Sequence, residues 1–548
     1  MLQSPQRVSN LSWKIVQHGA LDIEQVVTMG RSSCTCPYYA SRQAATKSSL
    51  VLLPYGSLLS YDVEETFHPS PESAVLVIDE AHNLPDTLRA AGSLTVKLSD
   101  LQRVTRSLQA YKNQYLTRLS EHNRTQLSAL IRWLEKLQGP QGLGKETMDR
   151  HFTSIEALKV EYQLHNFQTF KLQSWLSATQ LVKKLKGFID ATVTEETASE
   201  NASVSSAAAY LYSLPALLRA WNRPDAHMQV IWNQQARQLS LLCLDAAEIF
   251  ADLRKSFRTI LLAGGTLSPM DDLELQLCPQ QPRGSCFTAS YPHVIPPSSV
   301  KTWVISHDIG GSPLRYNNQH KMGLIDTTTR MLRELLQAVA VPGGVVIFLS
   351  SYAYLKAWQQ HLHASSTMGR GGVATDTSTW MWESQTVRAE ETLLAFQTHL
   401  QAAGTAVLIC VLGGKLSEGV NFADATARLA IVVGMPYPNP TDPQLQATQQ
   451  YLSSQAESPL VGDRYYQSLC WRSINQALGR CIRHKNDWAS IVLMDERFSQ
   501  DASRTMLPSW LSSPDSLMLL RKETSSLSSH LQTFYAEQTR QANGARRI

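Results

Sequence analysis

The chain has 548 residues, too many for one hydrophobic core, and this length predicts about three or four domains. A hydrophobic content of 43%, a charged content of 18% and a net charge of +4 are typical of globular proteins, so a surface that binds nucleic acid must be a local patch. No apolar run approaches the roughly 20 residues that a membrane span requires, so we expect no membrane partner.

Short apolar runs rich in β-branched residues recur along the chain and predict strands buried on both faces of parallel sheets. The runs are residues 75–78, 260–262, 345–349, 407–411, 429–433 and 491–494. Helical patterns lie between them, which indicates α/β units. From about residue 98 to 250 the pattern changes to long amphipathic stretches without strand runs, which predicts a helical insertion in the first sheet.

The stretch VLVIDEAHNL, residues 75–84, ends an apolar strand in two adjacent carboxylates, Asp79 and Glu80, with His82 two positions further on. Enzymes that transfer phosphoryl groups mainly position a water and neutralise charge around the γ-phosphate. We expect Asp79 to hold Mg²⁺ and Glu80 to orient the attacking water as a base. The alternative is that both carboxylates simply face solvent at the end of a strand.

Two later stretches favour the catalytic interpretation. LLAGGTLSP, residues 261–269, breaks an apolar strand at Gly264, Gly265 and Thr266, which could approach a neighbouring site closely and relay its state. QALGRCIRH, residues 476–484, has two arginines three positions apart, which predicts that both lie on one face of a largely buried helix. Two fixed guanidinium groups can clamp a triphosphate, and the alternative is a solvated basic helix. The residues of this helix expected to act are Gln476, Gly479, Arg480 and Arg483.

Two further loops suit contact with a phosphate backbone. GGKLSEGVNF, residues 413–422, combines a lysine, a hydroxyl, a lone acid and flexible glycines after an apolar run, although an ordinary strand-to-helix turn is the alternative. FLSSYAYL, residues 348–355, ends another apolar run in two serines. We expect phosphate-backbone contacts through Ser350, Ser351, Lys415 and Ser417, and coupling to the arginines through Glu418 and Gly419.

The order and spacing of these stretches resemble those of the superfamily 2 DNA helicases that carry an iron–sulfur cluster, typified by the xeroderma pigmentosum group D helicase. VIDEAH is similar to motif II of that family, GGTLSP to motif III, SSYAYL to motif IV, GGKLSEGVNF to motif V and QALGRCIRH to motif VI. CPYYASR, VVGMPYPNP and DWASIVLMDERF are most similar to the chromosome-loss branch, whose members act in sister-chromatid cohesion.

The resemblance implies an α/β fold with two RecA-like motor lobes, each on a parallel sheet, and a helical arch inserted in the first lobe. It implies an ATP- and Mg²⁺-dependent helicase that moves 5′ to 3′ on single-stranded or forked DNA in the nucleus, with cohesion and replication proteins as partners. The arginines should then face Asp79 across a cleft between the lobes. The implied domains are a remnant of the iron–sulfur region at 1–36, parts of lobe 1 at 37–97 and 251–300, the arch at 98–250, lobe 2 at 301–520 and a C-terminal tail at 521–548.

The phosphate loop of that family, G-x-x-x-x-G-K-[ST], has no match in this chain. GPQGLGKE, residues 139–146, has the spacing but puts Glu146 where the hydroxyl that contacts magnesium belongs. Three interpretations stay open. The chain is a helicase with further residues upstream, a catalytically inactive product that acts as a DNA-binding or cohesion scaffold or is a decayed copy, or an RNA helicase. The CPYY stretch and the insertion argue against the RNA helicase.

The resemblance also implies a 4Fe–4S cluster, which needs four ligands, usually thiolates. Cys36 lies where the last ligand of the family lies, but the family pattern gives Cys34 no role and the other six cysteines follow motif II. Of these, Cys410 and Cys481 have apolar neighbours and are expected to be buried. Only one cysteine of this chain therefore matches the implied cluster.

We predict that the purified chain is colourless and iron-poor even when it is handled anaerobically, because Cys36 lacks three partners. The measurement is an iron and sulfide analysis of the purified protein. Near-stoichiometric iron and sulfide would contradict the prediction and would mean that other cysteines join Cys36.

We also predict that the 548-residue chain neither hydrolyses ATP measurably nor unwinds DNA. Each contact of a phosphate loop is worth roughly 2–4 kcal/mol in the transition state, so losing several costs many orders of magnitude in rate. A chain extended upstream by a phosphate loop and three cysteines should be a DNA-stimulated ATPase. ATPase assays on both polypeptides, with and without single-stranded DNA, test this. Robust turnover by the short chain, lost on Glu80→Gln, would show the prediction to be wrong.

Overall fold

A computed structural model describes residues 4–59, 74–139, 143, 148–152, 154–196, 209–224, 227–280, 282, 286–367, 380–520 and 524–545. Most of the stretch 139–146, which imitates a phosphate loop, lies outside these residues. The chain divides into two compact units, residues 1–286 and 287–548. Within the described ranges no helix is long and apolar enough to cross a membrane.

The first unit contains a small parallel sheet and a large insertion. Its helices are α1 (Pro5–His18), α2 (Ile23–Ser32), α3 (Pro37–Ala45), α4 (Tyr55–Leu58), α5 (Leu84–Gly92), α6 (Leu98–Gln114), α7 (Glu121–Gln138), α8 (Ile155–Glu161), α9 (Thr169–Thr179), α10 (Leu181–Glu196), α11 (Ser213–Trp221), α12 (Ala246–Lys255) and α13 (Met270–Leu277). Its strands are β1 (Val75–Ile78), β2 (Leu94–Lys97), β3 (Arg150–Phe152), β4 (Met228–Asn233), β5 (Gln238–Cys243) and β6 (Thr259–Leu262).

Strands β1 and β6 pair in parallel and form a two-stranded sheet. One face of this sheet packs on α5, α12 and α13, with Ile78 and Phe250 in the shared core. The other face exposes Val75, Val77 and Leu261, which are 53%, 62% and 52% exposed. The prediction of strands buried on both faces is therefore wrong for this pair, because no element of the described chain covers the second face.

Between α5 and α12 lies the insertion, which has a core of its own. Helices α6 to α11 pack around Trp133 and Trp221, two buried indoles with ring centroids 5.2 Å apart. The predicted long helices are present, but the prediction that this region lacks strands is wrong. Strands β2, β5, β4 and β3 form a four-stranded antiparallel sheet. The missed strands have mixed polarity because one face of an antiparallel sheet can remain open to water, so they give no continuous apolar run.

The second unit is built on a parallel sheet of seven strands in the order β13-β7-β12-β11-β8-β10-β9. The strands are β7 (Val300–Ile305), β8 (Gly344–Leu349), β9 (Trp380–Trp382), β10 (Ala406–Val411), β11 (Leu429–Val433), β12 (Ala489–Met494) and β13 (Leu517–Leu520). The helices are α14 (Ile325–Ala338), α15 (Tyr352–Thr367), α16 (Ala389–Ala403), α17 (Lys415–Gly419), α18 (Pro443–Gln455), α19 (Pro459–Gly479), α20 (Asp501–Arg504), α21 (Ser509–Ser512) and α22 (Thr524–Ala545). Two separate cores lie on the two faces of the sheet. The four apolar runs predicted here are strands, and β8, β11 and β12 are buried throughout.

The C-terminal segment 521–548 was expected to be a tail, but it contains the long helix α22. Leu527, Leu531, Phe534 and Tyr535 of this helix are buried in the core of the second unit. The hydroxyl of Tyr535 also lies 2.7 Å from the hydroxyl of Ser490 in strand β12. The segment therefore covers one face of the sheet, a role that its polar composition concealed.

A buried ion pair fixes the loop that connects α19 to β12. Asp487 is fully buried and accepts from Nη1 of Arg428 at 2.8 Å and from the backbone N–H groups of Trp488 and Arg483 at 2.9 and 3.2 Å. The guanidinium of Arg428 also lies over the indole of Trp488, 4.3 Å from the ring centroid. Removing either charge would leave its partner buried and unpaired, which is far costlier than losing an exposed pair.

We predict that Asp487→Ala destabilises the second unit by about 3–5 kcal/mol, because it leaves the Arg428 guanidinium without its carboxylate. Urea unfolding of the variant measures the loss. Asp501→Ala is the control, since the Asp501 carboxylate is 89% exposed and pairs with Arg504 on the surface. Equal unfolding midpoints for the two variants would contradict the importance of the buried pair.

Candidate functional site

The chain turns sharply where strand β1 ends, and the turn places two carboxylates at the end of the sheet. Glu80 adopts φ 48° and ψ 45°, a left-handed conformation that is uncommon for a residue with a side chain. The turn is held by the backbone N–H of Ala263, which donates to the carbonyl of Ile78, and by the N–H of Ala81, which donates to the carbonyl of Ala263, both at 2.8 Å. Asp79 is exposed, so its carboxylate is accessible to a cation.

His82 connects this turn to the end of strand β6. It is buried, and its Nδ1 lies 2.8 Å from the Thr266 hydroxyl and 3.4 Å from the Glu80 carboxylate. One imidazole nitrogen of His82 therefore contacts both the Thr266 hydroxyl and the Glu80 carboxylate. The glycine that approaches Glu80 is Gly264, where a β-carbon would lie 3.4 Å from the Glu80 Cα. The predicted Gly265 is exposed and has open space around it.

Tyr55 is a further member of this site that the sequence did not reveal. Its hydroxyl donates to the backbone carbonyl of Asp79. Burial, followed by the carboxylates of Asp79 and Glu80, raises the pKa of Tyr55. The hydroxyl therefore stays protonated and braces the turn. No sequence pattern distinguishes Tyr55, because it lies in the short helix α4, 24 residues before Asp79.

In the second unit, the two predicted arginines do not share a helix face. Helix α19 ends at Gly479, and Arg480 occupies the C-cap position. Beyond it, Cys481 and Ile482 turn into the core and are 0% and 2% exposed, so the chain leaves the helical path. Arg483 therefore follows in a loop and is exposed, while Arg480 is half-buried. The prediction of one helix face is wrong because burial of the intervening apolar pair dominates over continuation of the helix.

Contacts with the loop after strand β10 nevertheless hold this arginine loop in place. The backbone N–H of Phe422 donates to the carbonyl of Arg480 at 3.1 Å, and Nε of Arg483 donates to Oδ1 of Asn421 at 3.0 Å. Gln476 lies on the helix one turn before Arg480, as predicted, and is half-buried. The sequence did not single out Asn421, although it lies within the quoted stretch GGKLSEGVNF.

The predicted phosphate-contacting serines have different surroundings. Ser417 is 1% exposed and donates to the carbonyl of Gly414 at 3.0 Å, so its hydroxyl faces into the loop. The Ser351 hydroxyl accepts from the backbone N–H of Tyr354 at 3.3 Å and so stabilises the start of α15. The Ser350 hydroxyl is buried and has no hydrogen-bond partner in the described part of the chain. The side chain of Glu418 lies outside what the structure describes.

An open hollow of about 490 Å³ lies beside helix α17, and we call it the basic hollow. It is lined by Lys415, Gly419, Arg388, Ala389 and Glu390. Lys415 and Arg388 are exposed, and Nζ of Lys415 donates to the carbonyl of Gln385 at 2.5 Å. Two cations at one concave surface are suited to phosphate oxygens. Arg388 was missed because its neighbours resemble no motif.

The first unit has an exposed aromatic surface on helix α3. Tyr38 and Tyr39 are 52% and 60% exposed, and their ring centroids lie 5.3 Å apart in an edge-on arrangement. The guanidinium of Arg42 lies 5.2 Å from the Tyr38 ring centroid and donates to its hydroxyl at 2.6 Å. Exposed rings beside an arginine are the groups on which single-stranded bases stack. The stretch CPYYASR contains all three residues.

The residues present do not fit a four-thiolate cluster. Cys36 precedes α3 at its N-cap position, and neither Cys36 nor Cys34 forms a disulfide bond within the described residues. Among the described residues, no group of three metal-ligating side chains includes either of them. Cys410 and Cys481 are fully buried as expected, and burial raises the pKa of Cys481 to about 12.

Comparisons with known proteins place the chain in a family. Residues 3–101 match the family model DEAD_2, and residues 334–514 match the model of the helicase C-terminal domain, Helicase_C_2. The chain is 31% identical over 517 residues to "ATP-dependent DNA helicase chl1" of Aspergillus clavatus. The alignment covers 89% of this chain and 70% of that protein. The chain belongs to the chl1 family of DNA helicases. It is likewise 31% identical over 548 residues to "ATP-dependent DNA helicase DDX11" of Mus musculus. This alignment covers 89% of this chain and 60% of that protein.

The chl1-family chain thus spans 60% to 70% of the length of these two relatives. Among solved structures it resembles "XPD_Helicase" with a TM-score of 0.52 at 16% identity, over 95% of this chain and 84% of that one. That likeness concerns the fold alone. It agrees with the expected α/β fold with parallel sheets.

We predict that Thr266→Val destabilises the first unit by about 1 kcal/mol, because it removes the hydroxyl that bonds to the buried His82 while keeping the side-chain volume. Thr266→Ser keeps the hydroxyl and is the matched control. The measurement is the free energy of unfolding of both variants. If valine and serine behave alike, the contact between His82 and Thr266 does not stabilise the turn.

Proposed function

We propose that this chain supplies the catalytic carboxylates, the arginines and the DNA-binding surface of the motor of an ATP-dependent DNA helicase that moves 5′ to 3′ along single-stranded DNA. Turnover of ATP would require in addition a phosphate loop, which has no match among residues 1–548. The observation that supports the proposal is that one segment, residues 411–422, contacts both the basic hollow and the arginine loop of the second unit. Its first half presents Lys415 to the basic hollow, and its second half holds Arg483 through Asn421. A motor must link its contact with the nucleic acid to its contact with the nucleotide, and one short segment that touches both provides such a link.

For the nucleotide, the proposed roles follow from charge and position. Asp79 would hold Mg²⁺, and Glu80 would orient the attacking water, with His82 and Thr266 fixing the orientation of Glu80. Arg480 and Arg483 would neutralise charge that develops on the γ-phosphate. Coupling between the nucleotide and the rest of the motor would involve Gly265, Glu418, Gly419, Gln476 and Gly479.

For the nucleic acid, we assign the phosphate backbone to the basic hollow. Lys415 and Arg388 supply its positive charge. Ser350 and Ser351, at the end of β8, stay predicted DNA contacts outside the lining of the hollow, and the Ser350 hydroxyl is buried. The Ser417 hydroxyl already donates to the carbonyl of Gly414, so we assign it to the stability of the loop. The exposed rings on α3, with Tyr38 beside Arg42, add a surface on which bases can stack.

The resemblance extends the proposal to single-stranded or forked DNA as substrate, to the nucleus as location, and to cohesion and replication proteins as partners in chromosome transmission. We assign no iron–sulfur cluster to the residues of this chain, because Cys36 has no matching set of ligands here. The printed names of the relatives, ATP-dependent DNA helicases, support a helicase over a catalytically inactive DNA-binding scaffold.

We predict that Lys415→Ala and Arg388→Ala each weaken binding to a labelled oligothymidylate about fivefold, because each removes a phosphate contact. Each should also lower the slope of log affinity against log salt concentration by about 0.7, the value for one single-strand contact. The control is Arg330→Ala, which removes an exposed arginine on α14. Fluorescence anisotropy at several salt concentrations gives both quantities. A change in affinity equal to that of the control would exclude the basic hollow as the DNA site.

A further inference from the structure

Strand β9 ends at Trp382, and the next residue, Glu383, is a buried acid to which the proposed mechanism gives no role. Glu383 is 4% exposed. Its Oε2 accepts from the backbone N–H of Val411 at 2.7 Å. Its Oε1 accepts from the hydroxyl of Tyr352 at 2.8 Å and from the backbone N–H of Leu416 at 3.2 Å. One side chain thus connects the ends of three strands, β8, β9 and β10.

Helix α17 depends on this acid because it lacks a local cap. Its N-cap residue, Gly414, has no side chain that could accept from the N–H groups of the first turn. Glu383, which follows strand β9, supplies that acceptor. It accepts from the backbone N–H of Leu416, the second residue of the helix. A β-carbon at Gly414 would lie 2.8 Å from both Glu383 Oε1 and the Tyr352 hydroxyl, so only glycine permits this approach.

The position of Lys415 follows from the same contacts. Lys415 lies between Gly414 and Leu416, and its backbone N–H donates to the Tyr352 hydroxyl at 3.4 Å. Its Nζ donates to the carbonyl of Gln385, two residues beyond the acid. Burial and the hydrogen bond with Glu383 raise the pKa of Tyr352 to about 12, so the hydroxyl remains a donor at neutral pH. Both ends of the lysine are therefore fixed to the segment that Glu383 anchors.

We propose that Glu383 is a positioning residue for DNA binding. From its place directly after strand β9, it caps helix α17 and thereby fixes Lys415 at the basic hollow. The inference rests on the proposed function, because it takes Lys415 as a phosphate contact. Glu383 itself is buried beneath the loop and acts through it. In Glu383→Gln the amide NH₂ must face the backbone N–H of either Val411 or Leu416, so one of these two contacts is lost although the volume of the side chain is unchanged.

The experiment uses the full chain and two measurements. The first is hydrogen exchange over residues 411–419 without DNA, and the second is binding of a labelled oligothymidylate across a range of salt concentrations. The variants are Glu383→Gln, Tyr352→Phe, Lys415→Ala and the double variant of Glu383→Gln with Lys415→Ala. Tyr466→Phe is the matched control for Tyr352→Phe, because it also removes one hydroxyl, which donates to the carbonyl of Pro438 at 2.9 Å.

Glu383→Gln is expected to speed exchange over residues 411–419 about tenfold, because the amide of Val411 or of Leu416 loses its acceptor, and Tyr352→Phe should do so to a smaller extent. The control should leave exchange there unchanged. Glu383→Gln should also weaken DNA binding and lower the salt slope as Lys415→Ala does. In the double variant, Glu383→Gln should cause no further loss, since it acts through the lysine.

Unchanged exchange in Glu383→Gln and Tyr352→Phe would overturn the cap. Faster exchange with an unchanged salt slope, or additive losses in the double variant, would overturn the positioning role and leave the DNA site intact. If Lys415→Ala itself leaves affinity and slope unchanged, the proposed DNA contact fails and the positioning role fails with it. The exchange measurement then still decides whether Glu383 caps the helix.

Discussion

In the second unit, the serines, the lysine loop and Glu383 all follow the carboxyl ends of parallel strands, and this shared edge brings them together, whereas the arginine loop precedes β12. In the sheet order, β11 lies between β12 and β8, and β10 lies between β8 and β9. The serines after β8, the lysine loop after β10 and Glu383 after β9 are therefore neighbours in space although they are far apart in the chain. In open parallel sheets, ligands bind in crevices at this edge. The fully buried strands form a rigid base, so the loops can differ in chemistry without changing the sheet.

Two buried carboxylates anchor the opposite ends of one loop. Glu383 holds its start by accepting from Val411 and Leu416, and Asp487 holds its end by accepting from the backbone of Asp424 at 3.4 Å. Asp487 also fixes the arginine loop through the N–H of Arg483. The segment that joins the two surfaces is therefore fixed at both ends.

The sequence predicted those parts of the molecule that depend on continuous apolar runs. Strands β8 and β11 are buried on both faces, so nearly every residue in them is apolar and the pattern is unmistakable. The antiparallel sheet of the insertion was missed because its strands mix polar and apolar residues. The end of α19 was mispredicted because Cys481 and Ile482 suit a helix as well as a buried loop, and only tertiary packing decides between them. Glu383 was missed for a different reason. A lone acid beside tryptophans carries no pattern, and its role appears only when Gly414 and Tyr352 are brought beside it.

The exposed face of the β1–β6 sheet has a consequence for handling the protein. Within the described residues these two strands pair only with each other, so each also has an outer edge with unpaired N–H and C=O groups. An apolar surface next to free strand edges is the combination that promotes intermolecular β-pairing and aggregation. The solubility of this polypeptide should therefore depend on protein concentration and on whatever chaperone or partner covers Val77 and Leu261 during expression. A single lysine in place of Val77 would act as a gatekeeper, because it would place a charge where a second molecule would otherwise pair.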